Sequence, residues 1–301
     1  MTDAEPFLQY RPLLFSIAYR MLGAVADAED AVQETYLRWR GAREAGEEIR
    51  SPKSWLTTAI SRVCLDQLGS ARVKREQYVG PWLPEPLAGV SPDVAETAAD
   101  ADSLSIAFLV LLESLSPKER AVFLLHDVFG YSFAEIGDIV GEREAYCRQI
   151  AKRARASMAE RRPRFAAHPA RRDQLADLFM RAVSDGDMHA LIATLTDDVV
   201  VYSDGGGKVS AARKPVVGRD KAALFLTNLR RLAPEGTRFQ MAQINGQPGV
   251  VTLIDGVVRN VVTFDFAASG IHAIYIVVNP DKLGPVAARL GGEQHPSPST
   301  P

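Results

Sequence analysis

The chain has 301 residues, 47% hydrophobic and 24% charged, with a formal net charge of −2. That is enough apolar material for about two globular domains, and the near-neutral balance excludes a surface that binds polyanions everywhere. Two cysteines, Cys64 and Cys147, both inside helical patterns, exclude a disulfide framework and a cysteine metal cluster, so no metal and no cofactor are expected. The start Met1-Thr2-Asp3-Ala4-Glu5 lacks a basic, apolar leader and no apolar run approaches a membrane span, so a cytoplasmic location and no membrane partner are expected.

In chain order, residues 5 to about 75 read as three helices with short connections. One runs through Phe7, Leu14, Ile17, Ala18 and Met21, one from Ala28 through Trp39, and one from Pro52 to about Ser70. In the second, Asp27 stands at a natural N-cap, and Glu29 and Asp30 suit the positive end of the helix dipole. Glu34 has no such excuse, since it lies four residues after Asp30 on one face. Asp27, Asp30, Gln33 and Glu34 thus form an acidic ridge opposite Val32, Tyr36 and Trp39. The ridge fits a basic protein partner or simple solvation. The third helix sets Leu56, Ala59, Ile60 and Val63 against Ser54, Thr58, Ser61 and Arg62, ahead of the basic run Arg72, Lys74, Arg75. Hydroxyls and cations along one face can hold a nucleic-acid backbone, although an ordinary exposed face reads the same way.

Residues 76–103 carry Pro81, Pro84, Pro86 and Pro92 with Gly80 and Gly89, then acids at Asp93, Glu96, Asp100 and Asp102, which is the composition of a linker. Within it Trp82-Leu83-Pro84-Glu85-Pro86 pairs stiff prolines with an aromatic that should not stay in water, as a contact or as a spacer. Helical periodicity resumes at Leu104, and Ser116-Pro117 with Glu119 spell a capping box with proline at the first helical position. A four-helix unit over 104–165 then ends near Arg162, ahead of Pro163. Inside it, Ser132 and Glu135 form a second capping box, Gly141 permits a sharp turn, and Cys147, Ile150, Ala151, Ala154 and Met158 make one apolar face. Arg148, Gln149, Lys152, Arg153 and Arg155 are left facing outward. Between Arg148 and Arg172 nine Lys/Arg face one acid, Glu160, so polyanion binding should be local to this helix-turn-helix.

From 168 to 291 the pattern is α+β. An amphipathic helix through Leu175, Leu178, Phe179, Ala182 and Val183 precedes strands at Val199–Tyr202, Phe239–Ile244, Val250–Ile254, Val257–Phe266 and Ile271–Val278. Asn245-Gly246 and Asp255-Gly256 favour hairpins, a helix over Lys221–Leu232 should cover one face, and residues 292–301 read as a disordered tail. Tyr202, Asp204, Gly205, Gly206, Gly207, Lys208 and His272 are the candidates for a pocket or contact in this domain. The glycine loop suits an anion, a closely approaching segment, or a plain tight turn.

These pieces, in this order, resemble an extracytoplasmic-function sigma factor. The string from Ala26 to Tyr36 is similar to that family's helix for docking on the polymerase β′ clamp. Ser51 through Leu56 and onward resembles the minus-10 helix, with Gly41 to Arg50 in the place of the base-capturing loop. Leu115 through Phe123 and the following helix-turn-helix resemble the minus-35 reader. Trp82–Pro86, Asp204–Lys208 and Asn279-Pro280-Asp281-Lys282-Leu283 are similar to signatures of the subgroup with a SnoaL-like extension. The acids Glu142 and Glu144, which would repel phosphate, depart from the pattern.

The resemblance implies a multidomain chain: two all-α sigma domains, 1–75 with three helices and 104–165 with four, then a ketosteroid-isomerase-like α+β cone that acts in cis. It implies core RNA polymerase, through the β′ clamp and β subunit, and promoter DNA as partners. It places Asp27, Glu29, Asp30, Gln33 and Glu34 on the polymerase and Ser54, Trp55, Thr58, Ser61 and Arg62 at the minus-10 element. Arg148, Gln149, Lys152, Arg153 and Arg155 fall at the minus-35 element, and Trp82 to Pro86 form a regulatory linker. A small-molecule effector of the last domain fits the same reading. Two alternatives stand beside it: a ligand-responsive DNA-binding regulator, which leaves the acidic ridge without a role, and an enzymatic last domain using Asp204, Tyr202 or His272, which show no catalytic spacing. A non-enzymatic transcription initiation factor is the expectation.

Overall fold

The computed structural model describes residues 5–89, 102–161 and 167–290, without the side chains of 5, 70–76 and 161. Pro92 and the acids Asp93, Glu96 and Asp100 of the linker, the stop at Pro163 and the Ser/Pro tail lie outside the described residues, and so do the side chains of Arg72, Lys74 and Arg75. Residue contacts group the described chain into two units: 5–77 with 102–104 and 108–161, and 78–89 with 105–107 and 167–290.

The first unit is all-helical. Its N-terminal part is α1 (Glu5–Leu22), α2 (Val25–Glu44) and α3 (Pro52–Glu76), packed through Leu14, Ile17, Ala18, Val32, Trp39, Leu56, Ile60 and Val63, all buried. Gly23, at φ 73°, reverses the chain so tightly that α2 begins at Val25 behind an Ala24 cap. Asp27 is therefore a first-turn residue and not the expected N-cap, although its charge still faces the positive helix end. Gly41 to Glu44 of the expected loop continue α2, and α3 runs past Ser70 to Glu76.

The remaining helices of this unit are α4 (Ile106–Leu112), in this unit from Phe108 on, α5 (Pro117–Phe123), which continues as a π-helical segment to Val128, α6 (Phe133–Val140) and α7 (Glu144–Arg161). Two buried arginines join them to α1. Arg20 donates to Ser16 and to Ser103 Oγ (3.1 Å) and lies over the Phe129 ring, while Arg120 Nη1 donates to the Met21 carbonyl (2.7 Å) and to Glu113 (2.8 Å). A buried guanidinium is tolerable only when acceptors meet it, so these partners fix which surfaces touch.

In the second unit α8 (Pro169–Asp185) and α9 (Met188–Thr194) lead into β1 (Leu195–Asp204), β2 (Val216–Val217), α10 (Arg219–Arg231), β3 (Thr237–Ile244), β4 (Gln247–Ile254), β5 (Val257–Ala267), β6 (Gly270–Val277) and α11 (Gly284–Leu290). The sheet order is β2-β1-β6-β5-β4-β3; β1 and β6 are parallel and the other neighbours antiparallel. The hairpin turns form as read, with Asn245 and Asp255 both at φ 52° and a left-handed glycine after each. Phe179, Leu226, Val199, Val201, Phe264 and Ile274 form the core between the helices and one sheet face. The short elements α9, β2 and α11 were not anticipated. Residues 78–89 are not a free spacer: Ala88 bridges Ile244 on the edge strand β3, and Leu87 exchanges hydrogen bonds with Asn245.

Candidate nucleic-acid interface and linker clamp

The helix-turn-helix is built from local chemistry. Ser132 Oγ accepts from the Glu135 amide and the Glu135 carboxylate accepts from the Ser132 amide (2.8 Å), closing the capping box. The Ser132 hydroxyl also donates to that carboxylate (2.7 Å), and this bond, with the one from the Ser132 amide, holds the Glu135 carboxyl below its ordinary value. Helix α6 ends on left-handed Gly141, and the turn folds back so closely that a Cβ on Gly137 would meet the Glu142 carbonyl at 2.7 Å. On α7 the apolar face is wholly buried while Arg148, Gln149, Lys152, Arg153 and Arg155 are exposed. The cations are already partnered in cis: Arg148 with Glu144, Arg153 with Glu119 (3.7 Å) and Arg155 with Asp127 (2.8 Å). The off-pattern acids are thereby explained, because Glu144 neutralises Arg148 and Glu142 pairs with Lys118.

On α2 the ridge stands out from the helix. Glu29 pairs with Arg11 (2.6 Å) and Glu34 with Arg38 (2.9 Å); Asp27, Asp30 and Gln33 are exposed. On α3 the candidates divide. Ser54 is exposed, Thr58 is half-buried with its hydroxyl donating to the Ser54 carbonyl (2.9 Å), and Trp55 Nε1 donates to Glu47 (3.1 Å) with the ring edge-on to Trp39. Ser61 is fully buried and its hydroxyl has no partner, so it presents nothing to a nucleic acid in this arrangement. The apolar stripe of α3 is wider than its spacing suggests because α6 packs on its flank. Thr57 and Tyr131 hydroxyls meet at 2.8 Å, and Arg62 donates to the Asp138 (2.7 Å) and Ile139 (3.2 Å) carbonyls at the end of α6. Arg62 therefore caps a helix end, a favourable seat for a cation.

In the second unit the three separated sequence strings meet. Asp204, fully buried, accepts from Tyr78 Oη (2.6 Å), the Leu83 amide (2.8 Å), the Gly206 amide (3.1 Å) and Lys282 Nζ (2.7 Å). Lys282 also donates to the Leu83 carbonyl (2.6 Å) and sits 4.3 Å from the Trp82 ring centroid, a cation–π contact. Asn279 donates to Tyr78 Oη (2.9 Å), and burial with the neighbouring Asp204 pushes the Tyr78 phenol well up. Gly206 is required by close approach, since a Cβ there would lie 2.4 Å from the Asn279 amide nitrogen and 3.0 Å from Tyr78 Oη. Lys208 pairs with Asp281 across the same junction. Among the readings of the glycine loop, a closely approaching segment is the one seen.

The chain is similar to known proteins along most of its length. Sigma-70 region 2 matches residues 7–73 and Sigma-70, region 4 matches 105–158. The ECF RNA polymerase sigma factor SigJ of Mycobacterium tuberculosis is 35% identical over 294 residues, 93% of either chain. The chain belongs to the ECF RNA polymerase sigma factors. The probable ECF sigma factor SigI of the same organism is 32% identical, covering 94% of this chain and 95% of its own. The crystal structure of SigJ superposes with a TM-score of 0.75 at 33% identity, covering 94% of this chain and 98% of that one. As a sigma factor the protein binds core RNA polymerase and promoter DNA and directs transcription initiation; it is not an enzyme.

Within this sigma factor the candidate pocket residues do not share one cavity: Gly205 and Gly207 line a small one of about 150 Å³, and the others are engaged elsewhere. Tyr202 stacks on Tyr275 (5.4 Å), His272 lies 3.5 Å from Asp198, and Asp204 is committed to the linker clamp. None of them lines the main cleft of the second unit, which Arg230 and Phe239 do. Sequence reasoning missed Tyr78 and Lys282 as clamp residues, and Arg20 and Arg120 as interface residues. The 279–283 string carried a signal for Lys282 alone; a tyrosine next to a linker carries none.

Proposed function

We propose that this sigma factor docks on the β′ clamp of core polymerase through Asp27, Glu29, Asp30, Gln33 and Glu34. The minus-35 element is read by Arg148, Gln149, Lys152, Arg153 and Arg155, and the minus-10 element is met by Ser54, Trp55, Thr58 and Arg62. Ser61 joins them only if α3 is first uncovered. The C-terminal domain regulates the factor in cis by gripping residues 78–89, and it offers a cleft for a small-molecule effector. The observation that carries cis control is the buried Asp204–Lys282 pair closed around the Leu83 backbone.

In transcription reconstituted with sigma-free core polymerase, Asp30→Ala with Glu34→Ala should impair capture of polymerase and leave promoter-DNA affinity of the free factor unchanged. Arg148→Ala should do the reverse. Equal loss of both activities in both variants would point to misfolding and sink the assignment. For cis control, the Asp204→Asn and Lys282→Met variants should keep polymerase capture yet change promoter output. Unaltered output would remove that part of the reading.

A further inference from the structure

One cavity of the second unit is used by nothing described so far. A cleft of about 440 Å³ lies between one face of the sheet and helices α8 and α10, a size typical of small-molecule sites. Its walls are mostly apolar and aromatic, with Phe179, Phe225, Phe239, Leu226, Val250 and Ile276 prominent. Among the described residues Arg230 is the single charged side chain lining it, and no carboxylate does. Its Nε is buried with no hydrogen-bond partner, and the guanidinium lies over the Phe239 ring at 5.7 Å. A buried donor without an acceptor is unfavourable unless an acceptor arrives from outside. Asn260, also in the lining, takes its hydrogen bond from Thr252 on the carbonyl oxygen (2.9 Å), which leaves its amide nitrogen as a donor. Arg230 and Asn260 thus turn donors on the cleft, beside the hydroxyls of Ser203 and Ser210, which can donate or accept.

We propose that the cleft binds an amphipathic small molecule ending in a carboxylate, its apolar body against the aromatic walls and its anionic head on Arg230. The guanidinium fork matches a planar carboxylate, and the low-polarity surroundings strengthen the pair. The proposal rests on the reading of this domain as an effector-binding one and adds the chemistry of the effector.

The test titrates the purified full chain with decanoate and, separately, with decan-1-ol, which has the same apolar body without the charge, by calorimetry. Decanoate should bind saturably and more tightly than decanol. Arg230→Gln should weaken decanoate by about tenfold or more, as expected for loss of a charge-assisted bidentate partner, and leave decanol unchanged. Ala233→Trp, which fills the cleft from its rim, should abolish both, with an unchanged unfolding midpoint as the folding control. Equal binding of the two probes, unaffected by Arg230→Gln, would overturn the carboxylate assignment and leave the effector reading standing. No saturable binding of either probe would overturn both, and decanoate binding that survives Ala233→Trp would place the ligand elsewhere and overturn the site.

Discussion

Ser132 holds the entrance to the helix-turn-helix with one hydroxyl, and its partner Glu135 reports on it. The carboxyl of Glu135 is depressed by hydrogen bonds from Ser132, so the charged form stabilises α6. For a carboxylate whose folded value is lowered, that contribution is complete above the unfolded value near 4.3 and disappears as pH falls through the folded value. Ser132→Ala should return the Glu135 carboxyl to the ordinary range in an NMR titration and cost about 1 kcal/mol of stability at neutral pH, the usual size of an N-cap. The loss should shrink in acid; a constant loss down to low pH would mean the hydroxyl acts through the Glu135 amide and not through its carboxylate. Such caps were legible in the sequence because donor and acceptor lie three residues apart. Arg20 and Arg120 were not: their acceptors, Ser103 and Met21, lie 83 and 99 residues away, and nothing in local spacing distinguishes them from surface cations.

Helix α3 marks the limit at the scale of elements. Its spacing of apolar and polar positions gave the helix and its core face, yet Ser61, read as part of the polar face, is buried, because a second element covers the flank that spacing left polar. Arg62 shows the same effect in the other direction, its cation spent on the carbonyls that end α6. If Ser61 is to reach DNA, α6 must leave α3, and the Thr57–Tyr131 and Arg62 bonds oppose that step. Tyr131→Phe with Arg62→Gln removes them without touching the apolar core. Labels on α3 and α7 should then report a longer mean separation by energy transfer, with circular dichroism unchanged. An unchanged distance distribution would mean that the buried arginines alone hold the two helical modules together.

Across the whole molecule the clearest device is the strap from Tyr78 to Gly89, which the composition marked as a spacer and the structure gives to the C-terminal domain. Prolines made it look autonomous. What binds it is spread over three strings, 78–83, 204–206 and 279–282, whose convergence depends on the parallel pairing of β1 with β6 that brings Asp204 opposite Val277. Long-range register of that kind leaves no mark in local periodicity. Asp204 is a buried anion whose one cation among the described residues is Lys282, and removing one member of a buried pair strands the other at a cost of about 3–5 kcal/mol. Lys282→Met should fall at the low end, since Tyr78 and the Leu83 and Gly206 amides still donate to Asp204. In hydrogen exchange read by mass spectrometry, the amides of 83–89 should open much faster in Lys282→Met while those of β5 and β6 keep their protection. The double variant Asp204→Asn with Lys282→Met should recover part of the lost stability, because no unpaired charge remains inside. If the single variant exchanges like the parent across 83–89, the strap is held by the β3 edge contact of Ala88 and Leu87, and the clamp around Leu83 contributes little to its docking.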